Sequence, residues 1–430
     1  MNEATLQYVR QHSDDDVRML ALRGCKDPEV DLTLALQQIQ GRQTARCKLP
    51  TWAENGAIVY PPHLNMEQCS SEPTARYKAA IARRLLSRSP GESGKTGNSG
   101  NSSKSGESGR PCSTLLDLTG GFGVDFTLMS EAFTRAVYVE HDAQLFAITS
   151  ENLQTFGKEN VQAECADGVE FLHGFDGRAT MIFLDPARRD DHGARTYDMA
   201  DCTPNVLAMR DELLGKADYV MLKLSPMLDW RKAVSDLGQQ QVQEVHIVSV
   251  GGECKELLVV LCDKPAPPAR LFCVNDDDIF EVEMSGSTDS QRYVGNSSFA
   301  HLLPAERKDG VTHYLYEPNA SIMKAGCFAE LSARFAISAL APNSHLFISP
   351  HFIGDFPGRR FHISTISSMN KHELKNALQG ITQANITVRN FPLSVAELRK
   401  RLKLSEGGST YIFATTLAEG DRVLLLCSRL

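Results

Sequence analysis

The sequence predicts an α/β protein whose main domain is a largely parallel sheet covered by helices on both faces. Two observations carry this. Between Ser113 and about Lys264, seven apolar runs alternate with helical stretches: STLLDLT (113–119), RAVYVE (135–140), VQAEC (161–165), ATMIFLD (179–185), DYVMLKLS (218–225), EVHIVSV (244–250) and ELLVVLC (256–262). Most are apolar throughout rather than at every second position, as expected of strands buried on both faces. The first run also ends in a glycine-rich turn, DLTGGFGVDF (117–126), that leads into an amphipathic helix. That arrangement is common to nucleotide-binding α/β folds.

The elements follow in chain order. LQYVR, VRMLALRG and LTLALQQIQGR, within residues 1–48, carry apolar residues at three- and four-residue spacing and read as helices. Pro50 and the PPH at 61–63 interrupt them. SSEPTARYKAAIARRLL (70–86) is a further helix, with Ser71 and Thr74 placed to cap it and Glu72 and Pro73 suited to its first turn. Residues 1–86 are therefore an N-terminal helical region. Residues 87–112 are almost wholly Ser, Gly, Lys, Glu and Asn, which cannot form a core, and read as a flexible tether. In the sheet domain, 113–266, only GGECK (251–255) separates the last two runs, too short for a crossover helix, so they form an antiparallel hairpin at the sheet edge. Five wound strands closed by such a hairpin fit a methyltransferase sheet better than a dehydrogenase sheet. Beyond PAPPAR (265–270) two small α+β modules follow, 270–358 and 359–430. The second reads strand (RRFHISTI), helix (KHELKNALQGI), strand (ANITVRN), helix (SVAELRKRL), then two strands (TYIFATTL and RVLLLCSRL).

Composition narrows the class. With 430 residues the chain is long enough for several domains, and 42% apolar with 23% charged residues is globular. No run approaches the roughly 18 apolar residues of a membrane span, and MNEATLQYVRQHSDDD is no secretory signal. The eleven cysteines form no CxxC pair, which suits reduced thiols in a cytoplasmic protein rather than a zinc site or a disulfide framework. A net charge of −8 argues against indiscriminate coating of nucleic acid. Local basic faces remain at GRQTARCK (41–48), RYKAAIARR (76–84) and LRKRLK (398–403), each equally readable as solvated surface.

The glycine turn reads D-x-x-G-G-x-G, without the G-x-G-x-x-G spacing or a P-loop lysine. Gly120, Gly121 and Gly123 let the backbone pass close to a ligand. Asp117, at the strand's last turn, repels a pyrophosphate and suits a cation such as a sulfonium with a free amino group. That favours S-adenosylmethionine over NAD. Glu140, ending the second strand, can take both ribose hydroxyls, and Asp167 beside Gly168, after the third strand, can accept an adenine amino group. Thr119, Phe122, Asp125 and His141 lie in or next to these motifs and complete the candidate cofactor set. Each acid alone is also readable as a loop carboxylate; it is their placement on successive strands that makes a cradle.

The fourth strand ends in FLDPARR (183–189). Asp185 and Pro186 stand where an open sheet presents its crevice and can hold an acceptor N–H with its lone pair in line for transfer. Arg188 and Arg189 can anchor a phosphate or stack on a base. Lys223, in KLSP at the end of the fifth strand, joins the candidate catalytic set, with a structural lysine as the other reading. KLSP offers no cysteine nucleophile of the kind that methylation of pyrimidine carbon 5 commonly needs, so direct transfer to a nitrogen is preferred. Tyr77 and Lys78 either help close the site or are a packed aromatic and a surface lysine. No metal is called for.

With DLTGGFGVD, YVE, DPARR and KLSPMLD, the chain resembles the class I S-adenosylmethionine-dependent methyltransferases, with their Rossmann-like seven-stranded sheet. More narrowly it is similar to a bacterial family seen in Bacteroidetes such as Porphyromonas, which joins this domain to a ferredoxin-like and a C-terminal THUMP-like module. EQCSSEPTARYKA (67–79) shares that likeness. The resemblance implies that Asp117, Thr119, Gly120, Gly121, Gly123, Glu140 and Asp167 hold the cofactor and that Asp185, Pro186, Arg188 and Arg189 face the acceptor. It also implies an RNA substrate, tRNA or rRNA, because THUMP domains elsewhere occur on tRNA-modifying enzymes. The expected function is methylation of an RNA base nitrogen. Methylation of a protein or small molecule, or a catalytically silent protein that binds S-adenosylmethionine and RNA, are the alternatives. Oligomeric state is not legible.

Overall fold

In a computed structural model the described residues are 1–87, 112–188, 199–265, 268–284 and 313–430. They divide into two units, residues 1–245 with 255–267, and residues 246–254 with 268–430. The tether expected over 87–112 falls, apart from its two end residues, outside the described residues.

The first unit opens with α1 (Glu3–Gln11), α2 (Val17–Arg23) and α3 (Leu32–Lys48). Asn2, Asp16 and Asp31 each accept a first-turn backbone N–H with the side chain, which is what starts these helices where they start. Their apolar stripes meet at Val9, Leu20, Ala35 and Ile39. α4 (Pro50–Glu54), α5 (His63–Gln68) and α6 (Glu72–Leu86) follow. Ser71 is the N-cap residue of α6, but its hydroxyl donates to the Thr74 hydroxyl, 3.3 Å away, and caps no backbone N–H. Trp52, Tyr60, Met66 and Ala75 from this region pack with Phe122, Val124 and Leu145 of the sheet region, so helices and glycine turn share one core.

The seven apolar runs are seven strands: β1 (Thr114–Asp117), β2 (Arg135–Glu140), β3 (Val161–Cys165), β4 (Ala179–Leu184), β5 (Ala217–Leu224), β6 (Val242–Val250) and β7 (Glu253–Leu261). Their order is β3–β2–β1–β4–β5–β7–β6. β1 to β5 run parallel, and β7 is antiparallel to β5, with Val220 opposite Leu261. α7 (Val124–Met129), α8 (Ala143–Thr155), α9 (Gly168–Gly174), α10 (Val206–Lys216) and α11 (Trp230–Leu237) make the crossovers. α6 is fastened to the last two strands by charge: Arg84 forks onto Glu244 of β6, and Lys78 onto Glu256 of β7.

β6 and β7 form the expected hairpin, turning on Gly251 and Gly252 at φ +61° and +78°, the left-handed pair that a two-residue hairpin turn requires. The hairpin does not lie at the sheet edge, as the sequence suggested. In the second unit, β6 from His246 onward is followed by β8 (Arg270–Asn275) and β9 (Asp278–Glu283), and the Asp276 N–H donates to Ser249 O at 3.0 Å. The open edge of β6 is thereby covered rather than left as a row of unpaired backbone groups.

The rest of the second unit is a seven-stranded sheet. β10 (Tyr314–Pro318), α12 (Ala320–Ala325), α13 (Phe328–Phe335), a two-residue strand Ser338–Ala339 and β11 (Phe347–Ser349), which pairs with it, come first. Then follow β12 (Gly358–Ser368), α14 (Lys371–Ala377), β13 (Asn385–Arg389), α15 (Val395–Leu402), β14 (Thr410–Thr416) and β15 (Arg422–Arg429), the strand–helix order read from the sequence. Alternation along β14 and β15 divides the core. Ile412, Ala414, Leu424 and Leu426 pack with Leu398 and Leu374 of the two helices, while Phe413, Val423, Leu425 and Cys427 pack on the other face. Among the described residues no helix is long and apolar enough to cross a membrane.

Candidate cofactor and transfer site

Strand order in the first unit reverses between β1 and β4, and there a cleft of about 970 Å³ opens at the carboxyl ends of the parallel strands. β1 delivers Asp117, buried, with Oδ1 accepting the Thr119 N–H at 3.0 Å. The glycine turn is clamped from β2. Glu140 accepts the N–H groups of Gly121 and Asp142, both at 2.8 Å, and Tyr138 donates its hydroxyl to Gly121 O at 2.5 Å. A side chain on Gly120 would start 2.2 Å from the Tyr138 ring, and one on Gly168 would start 2.1 Å from Leu118 O. Both glycines are therefore set by close approach. Asp167 caps α9, its Oδ1 accepting from Val169 and Glu170, and it lines the cleft beside Gly168. His141 is exposed and lies 3.0 Å from Glu140.

β4 delivers Asp185, whose N–H donates to Thr119 Oγ1 at 2.6 Å, joining the end of β4 to the glycine turn. β5 delivers Lys223, whose Nζ donates to Asp185 Oδ2 at 2.5 Å. Burial works against the Lys223 charge, but Asp185, Asp125 and Glu256 outweigh it, and its pKa stands above the usual lysine value. Asp117 is opposite in character. Burial, with Asp125, Asp185 and Glu140 nearby, pushes its carboxyl well above the usual range despite the Thr119 hydrogen bond. No basic side chain among the described residues forms an ion pair with it.

Pro186 is buried, and Ala187–Arg188 pair antiparallel with Cys202–Thr203, which brings Cys202, Thr203 and Pro204 into the cleft wall. Arg189 lies outside the described residues, and Arg188 is described by its backbone alone. Phe122, Gly123 and Asp125 all line the cleft, but Asp125 turns toward the N-terminal helices: Ser70 Oγ donates to it at 2.7 Å and Lys78 Nζ lies 3.1 Å away. Lys78 is fully buried behind the wall, its Nζ 2.7 Å from both Glu256 carboxylate oxygens, so it is neither a surface lysine nor a lid. Tyr77 is not among the lining residues.

Sequence reasoning missed the contribution of α5 and the turn after it, which supply Asn65, Gln68, Cys69 and Ser70, and that of Lys255 on β7. The signal was present in the 67–79 stretch. Cys69 is no nucleophile: burial pushes its thiol up to about 11.

Comparison with known proteins fits this geometry. Residues 314–357 match a family model described as a ferredoxin-like domain, and residues 358–429 one described as THUMP domain-like. The chain carries both domains. Over its full length it is similar to the crystal structure of a proposed methyltransferase from Porphyromonas gingivalis W83, at 27% identity and TM-score 0.77, covering 100% of this chain and 99% of that one. The Bacteroidetes resemblance read from the motifs therefore holds. Partial matches include a proposed methyltransferase from Streptococcus mutans in complex with SAH (15% identity, 35% of this chain and 88% of that one, TM-score 0.27). Another is an rRNA methylase from Streptococcus thermophilus (16% identity, 36% and 87%, TM-score 0.27). No curated protein sequence matches the chain.

Proposed function

We propose that this chain is an S-adenosylmethionine-dependent methyltransferase that methylates a base nitrogen of RNA, tRNA or rRNA, by direct transfer. The observation that carries the reading is the Asp185–Lys223 pair, held at the end of β4 and joined through Thr119 to an acid-lined glycine turn. The full-length likeness to the Porphyromonas protein supports the methyl chemistry, and the THUMP-like domain supports the RNA.

The residues fit the cofactor. Asp117, buried and without a cationic partner, is the carboxylate a positively charged ligand would stabilise, and Glu140 and Asp167 stand where ribose and adenine would be held. When bound, the cofactor supplies an electrophilic methyl group on a sulfonium. The protein's share is positioning. Thr119 and Lys223 fix Asp185, whose free lone pairs accept an N–H of the acceptor and turn the nitrogen lone pair toward the methyl carbon. The same carboxylate can also take the proton the nitrogen sheds.

Two outcomes test the cofactor half. Asp117→Ala should weaken S-adenosylmethionine binding by roughly 10–100-fold in calorimetry, the scale of a lost charge-assisted contact. Binding should also be pH-dependent. A buried acid with a raised pKa holds its proton in the free protein, so its contribution to stability falls as pH rises from the ordinary carboxyl value toward the raised one. A cationic ligand drives that proton off. Affinity should therefore increase with pH across that window, the observed enthalpy should vary with buffer ionisation enthalpy, and Asp117→Asn should remove both effects. Gly168→Ala should cost about 1–3 kcal/mol, the range for overpacking, and lower cofactor affinity, because its Cβ displaces the Leu118 carbonyl of the cofactor turn. For the RNA half, nucleoside mass spectrometry of cells lacking the protein should show one methylated base missing; an unchanged profile would sink it.

A further inference from the structure

One wall of the cleft has no part in the reading above. α5 comes from ahead of the sheet and places Asn65 and Gln68 in the lining. Three residues apart, they share one helix face. The backbone beneath them is pinned. Lys48 Nζ donates to Met66 O at 2.9 Å and Glu67 O at 2.5 Å, and the Cys69 N–H closes onto Asn65 O at 3.0 Å. Ser70, next in the chain, is held by Asp125 at 2.7 Å, and Met66 is fully buried. Among the described residues, neither the Asn65 nor the Gln68 side-chain amide has a hydrogen-bond partner. Asn65 is half-buried and Gln68 exposed, so two uncommitted amides stand on a fixed backbone in the cleft lining, open to an incoming ligand.

A side-chain amide offers one acceptor and a donor side by side, and complements a base edge of the opposite pattern. Asp185, in the same cleft lining, adds a constraint. Ionised, it only accepts, so the atom it faces must carry hydrogen. On the Watson–Crick edge, an exocyclic amine beside an unprotonated ring nitrogen, as in adenine and cytosine, meets both demands: the amine donates to Asp185 and to an amide oxygen while the ring nitrogen accepts an amide N–H. Guanine, whose amine adjoins a ring N–H on that edge, and uracil, with carbonyls where the amine would be, do not. Space permits it: about 970 Å³ lies at the upper end of the ~300–1,000 Å³ that holds a drug-sized ligand, which leaves room for a base beside a cofactor.

We infer that Asn65 and Gln68 are specificity-determining residues that hold an adenine or cytosine base by the edge beside its exocyclic amine. This rests on the methyltransferase reading for the cofactor's place in the cleft, not for the amides themselves. The test is fluorescence anisotropy of the full-length protein, with and without SAH, against labelled oligo-A, oligo-C and oligo-U. Oligo-A or oligo-C should bind about tenfold more tightly than oligo-U, within the span of one bidentate base contact. Asn65→Ala and Gln68→Ala should each erase most of that preference, with SAH affinity unchanged by calorimetry. Asn65→Asp, nearly the same in size but without the donor, should behave like the alanine variant. Equal binding of all three oligomers by the unmodified protein, or a preference that survives both alanine substitutions, overturns the proposal. Failure of SAH to bind at all would instead count against the methyltransferase reading, and the base preference measured without SAH would still decide the role of the amides.

Discussion

Replacing Lys78 with methionine is expected to destabilise the first unit by about 3–5 kcal/mol, the cost of removing one partner from a buried ion pair. Methionine matches the stem of lysine, so little packing is lost and the effect isolates the charge. What remains is Glu256 with both oxygens facing an apolar side chain, and Asp125 short of its neighbour at 3.1 Å. Burial already pushes the Glu256 carboxyl up even against Lys78. Without the lysine it should take up a proton, and the sign follows: an acid with a raised pKa contributes stability in acid that is lost as pH rises, so the deficit should be smaller in acid than at neutral pH. Lys78→Met/Glu256→Gln should recover part of the loss, as expected for residues in direct contact. Urea unfolding followed by tryptophan fluorescence reads this unit alone, because both tryptophans, Trp52 and Trp230, lie within it. A loss below about 1 kcal/mol, the level of an exposed pair, would show that the cluster does not hold α6 to the sheet.

That cluster also marks where sequence reasoning stopped. The strands were legible because burial on both faces leaves continuous apolar runs, and the glycine turn because close approach to Tyr138 leaves a glycine at position 120. Asp185 and Lys223 were legible as strand-end residues, but their pairing depends on β4 and β5 being neighbours, which is a fact of sheet order. Lys78 was not legible. A lysine on an amphipathic helix with Arg76, Arg83 and Arg84 around it reads as solvated surface. Only its partner, 178 positions along the chain, shows that it faces inward. The position of the β6–β7 hairpin was misread for a similar reason, since β8 and β9 follow a proline-rich break that looks like a domain end. Local pattern reports a residue's own element; it does not report what that element lies against.

Asp185→Ala should lower kcat for methyl transfer by about 10²–10⁴-fold, the range for a positioned acid–base group, while leaving S-adenosylmethionine affinity in place. The assay is transfer of labelled methyl to the RNA fraction in which the nucleoside comparison finds a missing modification. Lys223→Met separates two roles that the alanine variant merges. The carboxylate survives, but its hydrogen-bond partner at 2.5 Å is gone. If Lys223 acts only by holding Asp185, its loss should cost nothing further once Asp185 is alanine, so Asp185→Ala/Lys223→Met should match Asp185→Ala. If Lys223 itself touches the acceptor, the double variant should fall below both single variants. The first pattern makes Lys223 a positioning residue acting through Asp185. That is the role the geometry favours, since its one hydrogen bond among the described residues is spent on that carboxylate.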